Sequence, residues 1–394
     1  MNEQWIYQQH QQYFGVVAAG LEKLAGDELS QLGATEIRPG YRGLHFEADV
    51  KTLYAILYAS RLLTRVLAPL CKFDCHSPKY LYRRAAEIDW SSFIAEQDTF
   101  AIQAITSHSA IRHSRYAALT LKDAIVDQFR DKTGRRPSVD PRNPDRAIHL
   151  HIERNRATIS LDISGGSMHR RGYRAVSVEA PMQETMAAAL IAVSGWSAER
   201  PFLDPFCGSG TLLCEAWMRA CQIPAGFLRK QSGAATLPDY DDALCLKVRQ
   251  ELNGRIQVPK HVHIEGQDID FEAVAAAQRN LAVLPEGDRV QVKQADALKL
   301  KLSTATEIVT NPPYGLRLQD RSGAGSLLKR FGDTLKQHCA GSRVTIYYGE
   351  PAMSKELGLR PTKKHAISHG GLDGLACTYE LFEGLGNRRG KPAN

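Results

Sequence analysis

Residues 201–213, PFLDPFCGSGTLL, constrain the fold more than any other stretch of this chain. A short apolar run ends in Asp204, a turn carries Gly208, Ser209 and Gly210, and a Leu- and Ala-rich helical pattern follows. In a doubly wound sheet such a turn lies at the carboxyl edge of the first strand, where ligands bind. Three ligand classes compete for it. A P-loop needs a Lys after the glycines, and Thr211 stands there. A dinucleotide fingerprint needs a third glycine, and Leu213 occupies that position. S-adenosylmethionine is the class that remains.

The residues that follow keep strand–helix spacing. A second strand ends in Asp268, placed to hold ribose hydroxyls, with Ile269 beside it to cover an adenine face. A helix is predicted over 273–281. The third strand, 290–292, runs into Asp296 and Ala297, where the Asp296 carboxylate could meet an adenine amino group. The fourth strand, 307–310, ends in Asn311, Pro312, Pro313 and Tyr314. An exocyclic base amine is a poor nucleophile because its lone pair is delocalised into the ring. The Asn311 side-chain oxygen and the Pro312 carbonyl can accept both amine protons, favouring a pyramidal nitrogen. Proline makes that carbonyl rigid, and Tyr314 offers a face for an unstacked base. A C5-cytosine enzyme would carry a Cys after the fourth strand. Cys207, in the glycine loop, is therefore read as packing.

At 394 residues the chain is long enough for two domains. The first third alternates strand and helix patterns: a helix over 20–32 closed by Gly33, a strand over 41–46 and a helix over 50–63. A strand over 99–106, a helix over 114–130 and a hairpin of 148–152 with 157–163 follow. A flexible connector is expected from Ser164-Gly165-Gly166 onward, with Pro181 opening a helix over 182–193. The domain boundary falls between 164 and 179.

Lys and Arg number 50 against 43 acids, a net charge of +7. The excess concentrates between Arg112 and Arg156, where nine Arg and two Lys face six acids. Arg suits phosphate through its forked donors, and Arg112, Arg115, Arg135 and Arg136 are the candidate RNA contacts. No run approaches 18 apolar residues, so no membrane span is predicted. The N-terminus is polar, without a signal-peptide pattern. Eight scattered cysteines form no CxxC pair and complete no zinc spacing, so reduced thiols, no metal and a cytoplasmic location are expected.

With these motifs in place, the chain resembles the THUMP-domain RNA N2-guanine methyltransferases, most closely those acting on 23S rRNA. The resemblance spans about residues 13–383. DPFCGSGT, from Asp204 through Phe206 and Cys207 to Thr211, looks like the family's cofactor loop, and NPPY its catalytic motif. Pro181, Glu184 and Thr185 are similar to the segment that helps hold the methionine end of the cofactor. The resemblance implies an α/β fold: a ferredoxin-like segment (1–66), a THUMP domain (67–163), a linker (164–179), a Rossmann-like methyltransferase domain (180–386) and a disordered tail (387–394). It also implies guanine N2 as target and 23S rRNA as substrate, with tRNA as the alternative; the sequence leaves the oligomeric state open, with a monomer slightly favoured. A second methyltransferase fused in some relatives should be absent. Residue chemistry by itself leaves guanine N2, adenine N6 and cytosine N4 open. DNA methylation and a non-catalytic assembly role remain as rivals.

Overall fold

A computed structural model describes residues 5–175, 182–230, 232–313, 321–369 and 372–382. Contacts divide the chain into two compact units. One takes in residues up to 17, 25–168 and 229–252; the other takes in 18–24, 169–228 and residues from 253 onward.

The first unit is built on an eight-stranded sheet among the described residues. Its strands are β1 (Gln12–Val16), β2 (Thr35–Gly40), β3 (Gly43–Glu47), β4 (Arg65–Asp74), β5 (Thr99–Ser107), β6 (Ser138–Val139), β7 (Arg146–Glu153) and β8 (Arg156–Asp162). Their order is β2-β3-β1-β4-β8-β7-β5-β6. The helices are α1 (Ile6–His10), α2 (Glu22–Gln31), α3 (Val50–Ala59), α4 (Pro78–Ala86) and α5 (Ser114–Thr133). Local chemistry sets their ends. The Asp49 carboxylate accepts from Thr52 N–H at 2.7 Å to start α3. Ser77 caps α4 with Pro78 in its first turn, and Gly134, at φ +73°, ends α5.

The predicted helices at 20–32 and 114–130 and the hairpin stand where expected, but other elements differ. Helices α1 and α4 and strands β2 and β6 were not read, and the strand expected over 41–46 runs from Gly43 to Glu47 after a turn at 41–42. The helix from Val50 ends at Ala59, four residues early. Strand β4 went unread because Pro69 interrupts it. It nevertheless lies inside the sheet, between β1 and β8, with a register shift between Pro69 and Cys71 that accommodates the proline. The start of the connector is pinned rather than flexible: the buried Ser164 hydroxyl accepts from Val66 N–H at 2.7 Å. Residues 229–252, inside the range 180–386 read as catalytic, pack with the first unit. They carry most of α8 (Asp242–Asn253), the Tyr7 hydroxyl donates to Asp239 at 3.1 Å, and Lys51 pairs with Glu251 at 2.9 Å.

The second unit holds a seven-stranded sheet among the described residues. Its strands are β9 (Phe202–Asp204), β10 (Ile264–Asp268), β11 (Gln291–Gln294), β12 (Glu307–Thr310), β13 (Arg343–Tyr348), β14 (Lys363–His369) and β15 (Leu372–Glu380). The order is β11-β10-β9-β12-β13-β15-β14, with the first five parallel and β15 antiparallel to β13. The chain moves outward from β9 to β11, then crosses back to β12. The topological switch therefore lies between β9 and β12. The helices are α6 (Glu184–Ser194), α7 (Thr211–Ala220), α9 (Phe271–Leu281) and α10 (Arg321–His338). Helix α6 starts at Glu184, two residues after the predicted position, with Gln183 extended at its N-cap position and making no side-chain capping bond, and Pro181 lies outside the described residues. Ile308, Val344 and Ile346 pack with Leu328, Phe331 and Leu335 of α10 in the core below the strand ends. The Arg343 guanidinium grips the fully buried Glu307 carboxylate across the β12–β13 pair at 2.8–3.0 Å, anchoring the strand that leads to Asn311.

Candidate cofactor and target-base pocket

The carboxyl ends of β9, β10, β11 and β12 converge on a cavity of about 640 Å³. Asp204 sits at its floor, fully buried, accepting from the Thr310 hydroxyl at 2.6 Å and from Phe206 N–H at 3.1 Å. Burial pushes its carboxyl up to about 7 against those two hydrogen bonds, and the Asp268 charge adds to the rise. The two neighbours at the switch point, β9 and β12, are thus stitched together one residue before Asn311.

The loop after β9 explains its two glycines differently. Gly208, at φ +50°, lines the cavity and has open space where a Cβ would stand. Its N–H donates to Asp268 at 2.9 Å. Gly210, at φ +77°, does not line the cavity. A Cβ there would come within 2.9 Å of the Ala277 Cβ, so its bareness serves close packing of α9 against the loop rather than approach to a ligand. Ser209, Thr211, Phe206 and Cys207 all line the cavity. Burial raises the Cys207 thiol well above its ordinary range, so it stays protonated and is no nucleophile.

Asp268 ends β10 as expected. One of its oxygens accepts from Gly208 and the other from Asp270 N–H at 3.0 Å, which fixes the carboxylate while leaving acceptor capacity on each oxygen. Ile269, 69% exposed, lines the cavity beside it. The Asp296 carboxylate accepts from Leu298 N–H at 2.9 Å, and Ala297 completes that wall. Asn311 and Pro313 line the cavity as well, whereas Pro312 is buried behind it. Tyr314 lies outside the described residues. The Asn311 side-chain oxygen is buried and has no hydrogen-bond partner among the described residues.

Glu184 and Thr185 are buried at the start of α6 but do not line the cavity. Their place in the arrangement runs through Arg174, which sequence reasoning passed over as part of the connector. Its guanidinium donates to Glu184 at 3.2 Å, the Met182 carbonyl at 3.1 Å, the Thr211 hydroxyl at 3.1 Å and the Ser209 hydroxyl at 3.4 Å. One side chain therefore ties α6 to the glycine loop. Arg330 of α10, Asp270 and Leu298 also line the cavity and carried no motif signal.

The donor set suits S-adenosylmethionine. Acidic groups line the pocket, matching a ligand with a sulfonium and an ammonium, and the orphaned Asn311 oxygen requires a donor that the described residues do not supply. The four candidate RNA arginines are all exposed, but α5 separates them. Arg112 and Arg115 flank its start and Arg135 and Arg136 follow its end, about 30 Å away for a 20-residue helix.

Comparisons with known proteins agree with this architecture. Residues 171–377 match the RMKL-like methyltransferase domain, 75–162 the THUMP domain and 12–67 the RlmL ferredoxin-like domain. A candidate RNA methyltransferase of Synechocystis sp. is 35% identical over 94% of this chain and 97% of its own length. The ribosomal RNA large subunit methyltransferase K/L of Syntrophotalea carbinolica is 36% identical over 94% of this chain, which spans only 54% of that relative. A crystal structure of a methyltransferase candidate complexed with S-adenosylhomocysteine superposes with a TM-score of 0.81 at 26% identity, covering 94% of this chain and 98% of that one. No described helix is long and apolar enough to cross a membrane. The chain belongs to the RMKL-like methyltransferases, with ferredoxin-like and THUMP domains ahead of a catalytic domain that uses S-adenosylmethionine.

Proposed function

We infer that the chain methylates the exocyclic N2 of a guanine in RNA, with 23S rRNA as the substrate, in the cytoplasm. The observation that carries the chemistry is the buried Asn311 oxygen at the switch-point cavity, without a partner among the described residues. When bound, S-adenosylmethionine supplies an electrophilic methyl group on sulfur. Asn311 Oδ1 accepts one amine hydrogen of the base and the Pro312 carbonyl accepts the other. Both hydrogens are then held away from the ring plane, and the nitrogen recovers its lone pair for an in-line displacement. The nitrogen would take the methyl carbon as the carbon–sulfur bond breaks, the bonding pair leaving with sulfur, and would shed one proton to solvent. Asp268 holds the ribose hydroxyls, Asp296 the adenine amine, and Arg174 keeps the glycine loop and α6 in register. The exposed Arg112, Arg115, Arg135 and Arg136, at the two ends of α5, meet phosphates.

The choice of guanine N2 in 23S rRNA is supported by the family resemblance and by what the K/L relatives are named for. Nucleoside mass spectrometry of 23S rRNA and tRNA from a deletion strain tests it. Loss of N2-methylguanosine from 23S rRNA alone is expected. Loss from tRNA alone would transfer the substrate assignment to tRNA, and a missing N6-methyladenosine would replace the target base.

A further inference from the structure

The eight-stranded sheet has a second cavity, of about 650 Å³, on the face opposite its packed side. Strand alternation builds it. Val66, Ala68 and Leu70 of β4, Ile148 and Ile152 of β7, and Ala157 and Ile159 of β8 are buried on one side. The alternate residues emerge on the other. The shift after Pro69 brings Lys72 onto that open side, in register with Thr158, His151 and Ile105 on three successive strands. That row spans about 14 Å at ordinary strand spacing. A second ring cluster stands across the sheet, where Phe14 meets His45 edge-on at 4.8 Å. Tyr41, 60% exposed, carries Arg42 over its ring at 5.6 Å.

Charge on this face is uneven. Asp162 is spent on Arg65 and lies 3.6 Å from His149, and Asp74 faces Arg156 at 3.7 Å. Arg42 and Lys72 form no ion pair among the described residues, and neither does Glu153, the one acid among the lining residues, so cations outnumber acids there with Arg42, Arg65, Lys72 and Arg156 against it. Burial holds the His45 and His151 rings below their ordinary titration range, with Lys72 adding to it and Glu153 opposing it at His151, so near neutrality they are uncharged planar surfaces. Short side chains, Thr158 and Ser160, floor the middle of the groove. A surface of flat rings flanked by unpaired cations matches nucleotides whose bases are free to stack. A duplex hides its base faces and offers only phosphate and shape.

We propose that this open sheet face, shared by the ferredoxin-like and THUMP domains, is a docking groove for an unpaired stretch of the RNA substrate, separate from the pocket that takes the target base. The assignment rests on the RNA-methyltransferase reading above. Bases stack on Tyr41, Phe14 and His151, and phosphates meet Arg42 and Lys72.

The test uses the full-length protein, a short fluorescent single-stranded RNA, its blunt duplex and an oligoglutamate competitor. Arg42→Glu with Lys72→Glu changes only exposed side chains, and Tyr41→Ala removes one stacking face. Wild-type protein is expected to prefer the single strand over the duplex. The double variant should lose about tenfold or more of single-strand affinity, and Tyr41→Ala at least about fivefold. Duplex affinity and cofactor Kd should stay within about twofold, while KM for an rRNA transcript rises at constant kcat. Unchanged single-strand affinity in both variants, duplex preference in the wild type, or tighter binding of oligoglutamate would each overturn the groove. Methyl transfer by the wild type is scored separately. If it labels RNA while the variants bind normally, the groove alone fails. If it labels no RNA while the variants lose single-strand binding, the proposed reaction fails and the groove stands.

Discussion

The two cavities are nearly equal in volume, about 640 and 650 Å³, and opposite in construction. The catalytic pocket gathers strand ends and the loops that leave them. Asp204, Asp268, Asp270 and Asp296 converge there, with Arg330 as the sole Lys or Arg among the residues lining it. The sheet groove is lined along strands β1, β2, β3, β4, β5, β7 and β8 and by the turn carrying Tyr41 and Arg42, with Arg42, Arg65, Lys72 and Arg156 against the single acid Glu153 among its lining residues. A small cofactor with two cationic centres suits the first; an extended polyanion suits the second. The contrast extends to how binding energy is distributed. A strand-end pocket concentrates its effect in a few fixed groups, so one substitution can remove it. A sheet face divides recognition over many weak contacts, so single changes should cost little.

Asn311 is where that contrast should be largest. Removing its buried oxygen by Asn311→Ala is expected to lower kcat by about 10²–10³-fold, the loss typical of one preorganised hydrogen-bonding group at a reacting centre. Cofactor Kd, read by calorimetry, should stay within about threefold because Asp268 and Asp296 remain. A variant that keeps its turnover, or loses its cofactor, would place the pocket's chemistry elsewhere.

The next effect separates the regions by pH. Asp204 holds its proton up to about 7 in the folded chain, whereas an unfolded Asp releases it near 4. Between those values the folded state binds more protons, so stability falls as pH rises through the window, by a few kcal/mol in all. In the first unit the sign is reversed. Burial alone would raise Asp162, but the His149 ring and Arg65 hold its carboxyl below the ordinary range. Its contribution is present at neutral pH and lost as pH falls below about 4. Urea unfolding from pH 3 to pH 8 should therefore show an acid-side loss from Asp162 and a neutral-side decline from Asp204. Asp204→Asn should abolish the decline and leave the acid loss in place. Persistence of the decline in that variant would mean Asp204 is ionised in the folded chain.

The same contrast explains what could be read from the amino-acid order. Asp204, Gly208, Asp268, Asp296 and Asn311 were legible because each closes a strand or opens a helix, and sequence spacing reports such junctions directly. Arg174 escaped because it acts through Glu184, Ser209 and Thr211 without lining the pocket, and nothing in a lone Arg announces four acceptors. Arg330 escaped because its place on α10 depends on how that helix packs. The groove was invisible for a further reason. Its residues come from seven strands and the turns between them, and the one that brings Lys72 onto the open side, β4, contains a proline that argues against a central strand until the register shift is seen. The charge between Arg112 and Arg156 was read as one basic region, yet a single 20-residue helix divides it into two patches.

That division makes the smallest effect informative. Arg135 and Arg136 follow the end of α5, fully in solvent apart from a 3.7 Å approach of Arg135 to Glu96. If they contact phosphates, Arg135→Gln with Arg136→Gln should flatten the dependence of log affinity on log salt by about two units. Because such contacts ignore base stacking, duplex and single strand should be affected alike. The groove variants should instead weaken the single strand selectively. Equal losses on both probes from both sets would dissolve the distinction, leaving one diffuse basic surface in place of a phosphate rim and a base-stacking groove.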